Sequence, residues 1–292
     1  MKKLAYYPGC SLNGTGRAYD ESLRAVFEAL GEPLEELDDW NCCGATSYMS
    51  IDKGKAYALA SRNLALAERE EADLLTPCNA CYLVLEKTRR HLADSAEMGH
   101  RVRRALDAVG LSYEGDVRIR HPLEVLTQDV GEERIKEAVK EPLKGLKVAP
   151  YYGCQIVRPY ATFDDQYHPQ TMDRLLKATG AKVVPYPFKT RCCGASQTGT
   201  LPEVGLHLVY RLLNEAKARG ADVLAVTCPL CQFNLDAYQS QVRREYDLEP
   251  IPILYFSQIL GLALGIPAKK LGIDRSVVSA KAVLERRAAH AA

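Results

Sequence analysis

Asn41-Cys42-Cys43-Gly44-Ala45 returns further along the chain as Arg191-Cys192-Cys193-Gly194-Ala195, and this pair of segments decides how the sequence is organised. Working outward, a lone cysteine precedes each Cys-Cys and a CxxC follows it. In the first set, 31 residues separate Cys10 from Cys42, and 34 separate Cys43 from Cys78, which opens the CxxC completed by Cys81. In the second set, 37 residues separate Cys154 from Cys192, and 34 separate Cys193 from Cys228, which is followed by Cys231. The ten cysteines of the 292-residue chain thus fall into two fives with none left over. The flanks repeat as well. Tyr6-Tyr7-Pro8-Gly9-Cys10 matches Pro150-Tyr151-Tyr152-Gly153-Cys154, and the approach to Cys78 from Ala72 loosely matches the approach to Cys228 from Gly220. Val117-Arg118-Ile119 through Val125-Leu126 resembles Ile251-Pro252-Ile253 through Ile259-Leu260. An internal duplication of this length outranks any local reading. It predicts two tandem modules, residues 1–145 and 146–292, related by a pseudo-twofold. The charged stretch Glu137 to Lys147, with Pro142 and Gly145, is the expected linker.

Within each module strands and helices alternate. Leu4 to Tyr7 reads as a short strand entering a Pro-Gly turn at Cys10. Leu23, Val26, Phe27 and Leu30 fall on one helical face that ends at Gly31. A helix is expected over about Lys53 to Glu70, and a strand from Leu74 to Thr76 leads to Cys78. In the second module Val148 to Tyr151, Val183 to Tyr186 and Val223 to Val226 read as strands, and Val209, Leu212, Leu213 and Ala216 repeat at helical spacing. This alternation predicts an α/β fold in which each module has a small, mainly parallel sheet flanked by helices. The cysteine loops then lie at the carboxyl ends of the strands, where ligands collect in open α/β sheets.

Composition excludes several classes of function. Lys plus Arg number 38 against 37 for Asp plus Glu, so no basic surplus points to nucleic acid. Met1-Lys2-Lys3 runs into only a short apolar stretch, Leu4 to Gly9, so no secretory signal is expected. The most apolar segment, Ile253 to Ile266, falls short of the roughly 20 residues a spanning helix needs and reads as a buried strand and helix. A cytoplasmic protein with no transmembrane segment of its own is the expectation, with docking to a membrane complex left open.

In a reducing compartment structural disulfides seldom persist, so ten cysteines point to metal binding or redox chemistry. A structural zinc ion takes four ligands, and an ordinary iron–sulfur cluster takes four cysteines. Five thiols per module are one too many for either. Neighbouring side chains such as Cys42 and Cys43 diverge, which suits a multi-iron object better than one ion. Gly44 and Gly194 are expected to let the backbone approach bulky sulfide. Zinc in one module, and a non-catalytic zinc or disulfide scaffold, stand as the alternatives.

The order Cys, Cys-Cys-Gly, CxxC, occurring twice, resembles the cysteine-rich CCG domain found in the B subunit of heterodisulfide reductase, over nearly the whole chain and all ten cysteines. That resemblance implies two noncubane [4Fe-4S] clusters, one held by Cys10, Cys42, Cys43, Cys78 and Cys81 and the other by Cys154, Cys192, Cys193, Cys228 and Cys231. It implies an oxidoreductase subunit in which facing clusters reduce or form a small-molecule disulfide, each supplying one electron and capturing one thiolate. The chain has neither the closely spaced cysteines of ferredoxin-type cubane clusters nor a Gly-rich dinucleotide loop, so its electrons come from another polypeptide. The implied partners are a ferredoxin-like C subunit and a flavoprotein A subunit. A related CCG subunit occurs in type E succinate dehydrogenase or fumarate reductase complexes linked to quinone, and is the runner-up reading.

Other residues carry weaker signals. His168, in Asp164-Asp165-Gln166-Tyr167-His168-Pro169, is a candidate proton donor to a departing thiolate, against a plain loop or helix-start role. His91, His100 and His290 are read as surface residues, and His121 and His207 as surface or partly packed. Arg158 and Arg191 are candidates for neutralising an anionic cluster or binding a substrate carboxylate or phosphate, against ordinary ion pairing. Tyr7, Tyr151 and Tyr152 are expected to pack the turns before the lone cysteines. The stretch from Ser276 to Arg287 is read as a terminal helix.

Overall fold

The computed structural model of the protein describes residues 3–45 and 48–285. Its strands form two sheets of identical order. The first half contributes β1 (Lys3–Tyr6), β2 (Glu35–Glu36), β3 (Ala72–Leu75) and β4 (Ile119–Arg120), arranged β2-β1-β3-β4. The second contributes β5 (Lys147–Tyr151), β6 (Lys182–Val183), β7 (Val223–Val226) and β8 (Ile253–Tyr255), arranged β6-β5-β7-β8. All pairings are parallel, so each strand is followed by a crossover. The strand order reverses between β1 and β3, and again between β5 and β7. At such switch points the loops leaving the carboxyl ends splay apart and open a crevice. Cys10 follows β1 and Cys78 follows β3; Cys154 follows β5 and Cys228 follows β7.

The helices form where the apolar spacing requires. Helix Arg17–Ala29 buries Leu23, Val26 and Phe27. Helix Lys53–Arg69 starts at Asp52, whose carboxylate accepts the Lys55 N–H at 3.2 Å. Helix Pro202–Ala218 buries Val209, Leu212, Leu213 and Ala216. β3 and β7 are buried along their whole length, as expected for parallel strands covered on both faces. The apolar segment from Ile253 becomes β8 followed by helix Phe256–Ala263. No helix among the described residues is long and apolar enough to cross a membrane.

The two halves share one apolar core. Tyr6, Leu12, Tyr19, Leu23 and Phe27 belong to the same buried cluster as β5, β7, β8 and helix Phe256–Ala263. Where helix Arg17–Ala29 meets helix Phe256–Ala263, the Ser22 and Ser257 hydroxyls lie 2.7 Å apart. The Tyr19 and Tyr255 rings stack at 4.2 Å with an interplanar angle of 4°.

Three expectations change in detail. β6 stops at Val183 instead of running to Tyr186, because Pro185 and Pro187 have no N–H to offer a ladder. The stretch Glu137 to Lys147 is pinned rather than free. The Lys140 and Glu141 N–H groups donate to the Ala263 carbonyl and the Leu143 N–H to that of Thr179, while Leu143 and Leu146 are buried. The terminal stretch is not helical from Ser276, since the Asp236 carboxylate captures the Val277 and Val278 amides at 2.7 and 3.0 Å; helical turns begin at Lys281. Arg287 and His290 lie outside the described residues.

Candidate functional site

Cys10 and Cys154 sit just after the first strand of each sheet, Cys10 in the short helix Gly9–Leu12. Cys78 and Cys228 are the residues capping helices Asn79–Asp94 and Pro229–Ala237, which carry Cys81 and Cys231 in their first turns. All ten thiols are free of disulfides. Cys43, Cys78, Cys81, Cys193, Cys228 and Cys231 are buried, whereas Cys10, Cys42 and Cys192 reach the surface. Each set therefore has a buried floor and an open rim.

Neighbouring thiols influence one another's protons through hydrogen bonding in two groups, one running from Cys42 to Cys193 and the other pairing Cys154 with Cys192, with Cys10 outside both. Cys42 and Cys43 influence each other, and the Cys43 and Cys81 sulfurs lie 3.2 Å apart. Cys81 and Cys78 shift each other's proton affinity, and so do Cys78 and Cys228 of the other half. Cys228 continues to Cys231 and Cys231 to Cys193. Cys154 pairs with Cys192 and feels the charges of Cys193 and Cys228. Hydrogen bonding sorts the protons: Cys42 lowers Cys43, Cys154 lowers Cys192, and Cys231 with Cys78 lowers Cys228, which favours thiolate there, while the same bonds hold Cys42, Cys78, Cys81, Cys154 and Cys231 protonated. Among the described residues no three His, Cys, Asp or Glu side chains converge on a point that one metal ion could occupy.

The backbone around the sulfurs is matched between the halves. The Tyr7 hydroxyl donates to the Asn41 carbonyl at 2.9 Å, and the Tyr151 hydroxyl to the Arg191 carbonyl at 2.7 Å. In both cases a buried phenol at the carboxyl end of the first strand fixes the residue before Cys-Cys, a role beyond packing the turn. Asn63 braces the same Asn41 backbone on both sides, and Asn234 donates to the Cys193 carbonyl at 2.8 Å. Gly9 and Gly153 have left-handed φ of +70° and +78°. A Cβ at these positions would stand 3.2 Å from the Cys81 sulfur and 3.3 Å from the Cys231 sulfur. They are the glycines that leave room beside sulfur. Gly44 and Gly194 instead face the next helix, where a Cβ would meet the Ala56 backbone at 3.6 Å or the Gly205 carbonyl at 3.1 Å.

The remaining candidates separate. His168 is exposed, in a loop whose His168 and Tyr167 amides donate to Asp165; Asp164 takes the Gln170 and Thr171 amides at the start of the following helix. The Arg158 guanidinium donates to the Thr190 carbonyl, and its charge favours the Cys192 thiolate. Arg191 lines a cavity of about 320 Å³ with Phe188, Cys192, Leu208, Arg211 and Leu212.

The sequence reading misplaced His121. It is fully buried at the junction of the halves, with Nδ1 accepting the Leu123 amide at 3.1 Å and Nε2 lying 3.2 Å from the Thr227 hydroxyl, next to Cys228. Burial lowers its pKa to about 3, so the ring is neutral. Tyr19, Asn79 and Tyr255 were also missed. The Tyr19 hydroxyl donates to the Thr227 carbonyl at 3.3 Å, and Asn79 donates to the Tyr152 carbonyl at 2.8 Å, both across the halves. The duplication exposes residues that match in type, as Tyr7 and Tyr151 do. His121 and Tyr255 occupy equivalent places, each capping the helix that follows the fourth strand of its sheet, but differ in type, so the repeat hides them.

Comparison with known proteins gives a consistent picture. The family model described as a cysteine-rich domain, CCG, matches residues 4–86 and 148–236, together more than half of the chain. The 8-methylmenaquinol:fumarate reductase membrane anchor subunit of Wolinella succinogenes is 35% identical over 283 residues, 96% of this chain and 98% of that one. The B subunit of the ferredoxin:CoB-CoM heterodisulfide reductase of Methanosarcina mazei is 35% identical over 285 residues, 95% of this chain and 94% of that one. In fold, a hypothetical protein from Helicobacter pylori superposes with a TM-score of 0.76 at 18% identity, over 95% of this chain and 52% of the other.

Proposed function

This chain belongs to the CCG family of cysteine-rich domain proteins as an iron–sulfur oxidoreductase subunit, and we propose that it reduces, or in reverse forms, a disulfide at two noncubane [4Fe-4S] clusters. One cluster is assigned to Cys10, Cys42, Cys43, Cys78 and Cys81 in module 1–145, the other to Cys154, Cys192, Cys193, Cys228 and Cys231 in module 146–292. The observation that carries this reading is that the two equivalent thiol sets adjoin at the junction of the halves: Asn79, next to Cys78, donates to the Tyr152 carbonyl, Tyr19 of the first half bonds to Thr227, next to Cys228, and Cys78 and Cys228 each shift the other's proton affinity. Reducing a disulfide to two thiols takes two electrons and two protons, a task that two adjacent one-electron sites can share. The donor set fits such a group, with buried floors of sulfur, thiolate favoured at Cys43, Cys192 and Cys228, and Gly9 and Gly153 holding side chains away from Cys81 and Cys231.

When bound, iron–sulfur clusters store and pass single electrons; the residues around them set position and access. Tyr7 and Tyr151 hold the Cys-Cys loops at a fixed distance from the first strands, and the exposed Cys42 and Cys192 leave each site open to an incoming molecule. The relatives are named as subunits of larger reductases, which supports partner subunits here. We assign the electron supply to a ferredoxin-like subunit with a flavoprotein behind it.

A second reading rests on the Wolinella relative, whose name ties it to a quinol and a membrane. In that reading the same paired sites relay electrons to or from a quinone, and the protein docks on a membrane complex. Metal and acid-labile sulfide analysis of anaerobically purified protein tests the shared premise: about eight irons per chain are expected, and zinc without sulfide ends both readings. Reduced protein offered small disulfides and quinone analogues then separates them, since quinone turnover with inert disulfides favours the relay.

A further inference from the structure

Where the two thiol sets adjoin, one buried phenol has no acceptor for its proton among the described residues. It belongs to Tyr255, at the end of β8, which is 1% exposed. Its ring lies flat against Tyr19 of the other half, and that stack removes the freedom to swing toward solvent. Tyr19 bonds to Thr227, so only one of the two stacked hydroxyls is satisfied. At the equivalent place in the first half, His121 has partners on both ring nitrogens. Burial, then the charges of Cys228, Tyr19, Cys78 and Cys231, hold the Tyr255 phenol in its protonated form. A buried hydroxyl without an acceptor is destabilising, and the nearby groups of complementary chemistry are sulfur anions.

We propose that Tyr255 donates a hydrogen bond to a sulfur at the junction, the Cys228 or Cys78 thiolate or a sulfide beside them, and thereby raises the reduction potential of the iron–sulfur group held there. This rests on the cluster reading above. No proton is transferred: the O–H bond stays intact, and its dipole favours the state in which the sulfur carries more negative charge, which is the reduced one. Hydrogen bonds to cluster sulfurs are one of the means by which a protein sets such potentials.

The test is an EPR-monitored redox titration of Tyr255→Phe, which keeps the ring and its stack and removes only the donor. The variant should keep wild-type iron and sulfide while one midpoint potential falls, by about 59 mV if the oxidised-to-reduced ratio changes tenfold for a one-electron couple. Tyr19→Phe, which loses the bond to Thr227, should leave both potentials in place. In wild-type protein equilibrated in D2O, pulsed EPR should detect an exchangeable deuteron coupled to the paramagnetic cluster. Unchanged potentials in Tyr255→Phe, an equal fall in Tyr19→Phe, or no coupled deuteron in the wild type overturns the proposal while the clusters stand. Wild-type protein without iron and sulfide removes the cluster reading itself, and metal analysis reveals that before any titration.

Discussion

Replacing Gly153 with alanine tests whether the glycines after the first strands exist for the backbone or for the sulfur. Gly153 has φ +78°, a region where an alanine costs about 1–2 kcal/mol. Its added methyl would also stand 3.3 Å from the Cys231 sulfur and 3.4 Å from the Asn79 amide nitrogen, so both neighbours must retreat by a few tenths of an ångström. Neither has slack, because Cys231 is buried against Cys193 and Cys228, and Asn79 is bonded to the Tyr152 carbonyl. Gly220 supplies the control: its φ is +72°, and a Cβ there meets nothing within 4 Å. Chemical denaturation of metal-free protein should therefore show both variants destabilised by at least about 1–2 kcal/mol from backbone strain. Iron retention under chelator challenge should split them. Gly220→Ala keeps its full complement, whereas Gly153→Ala falls toward about four of about eight irons as the second site loosens. If Gly153→Ala resists chelator as well as Gly220→Ala does, the glycine serves the turn alone and the argument from sulfur contact is wrong.

Cys193→Ser should deplete iron and sulfide from the second site and abolish two-electron disulfide cleavage while far-UV circular dichroism stays close to wild type; full iron content would remove Cys193 from the ligand set. His121 predicts a pH effect with a definite sign. Its pKa is about 3 folded against about 6.5 unfolded, so the unfolded chain takes up the proton first. The stability gained from the neutral ring is whole above pH 6.5 and is lost as pH falls toward 3, amounting to about 2 kcal/mol by pH 5. Denaturation at pH 7 and pH 5 should show His121→Asn losing less stability than wild type over that interval, and equal losses would place the imidazole in solvent.

The duplication was readable residue by residue: five thiols in matching order, tyrosines before the lone cysteines, and alternating apolar segments that became two sheets of the same order. These features are local, since strand and helix periods and turn residues act over a few positions of the chain. Even the shortened β6 was legible in Pro185, which cannot join a ladder. The junction was not. Cys78 beside Cys228, Tyr19 stacked on Tyr255 and His121 bonded to Thr227 join residues more than a hundred positions apart. None of these contacts leaves a periodic trace, because each arises from how the first half packs on the second. The sequence by itself determined the two thiol sets on offer, through their number and order. Only the tertiary structure decided that the two sets adjoin and that one buried phenol stands beside them, since burial and proximity depend on a shared core that no single segment encodes.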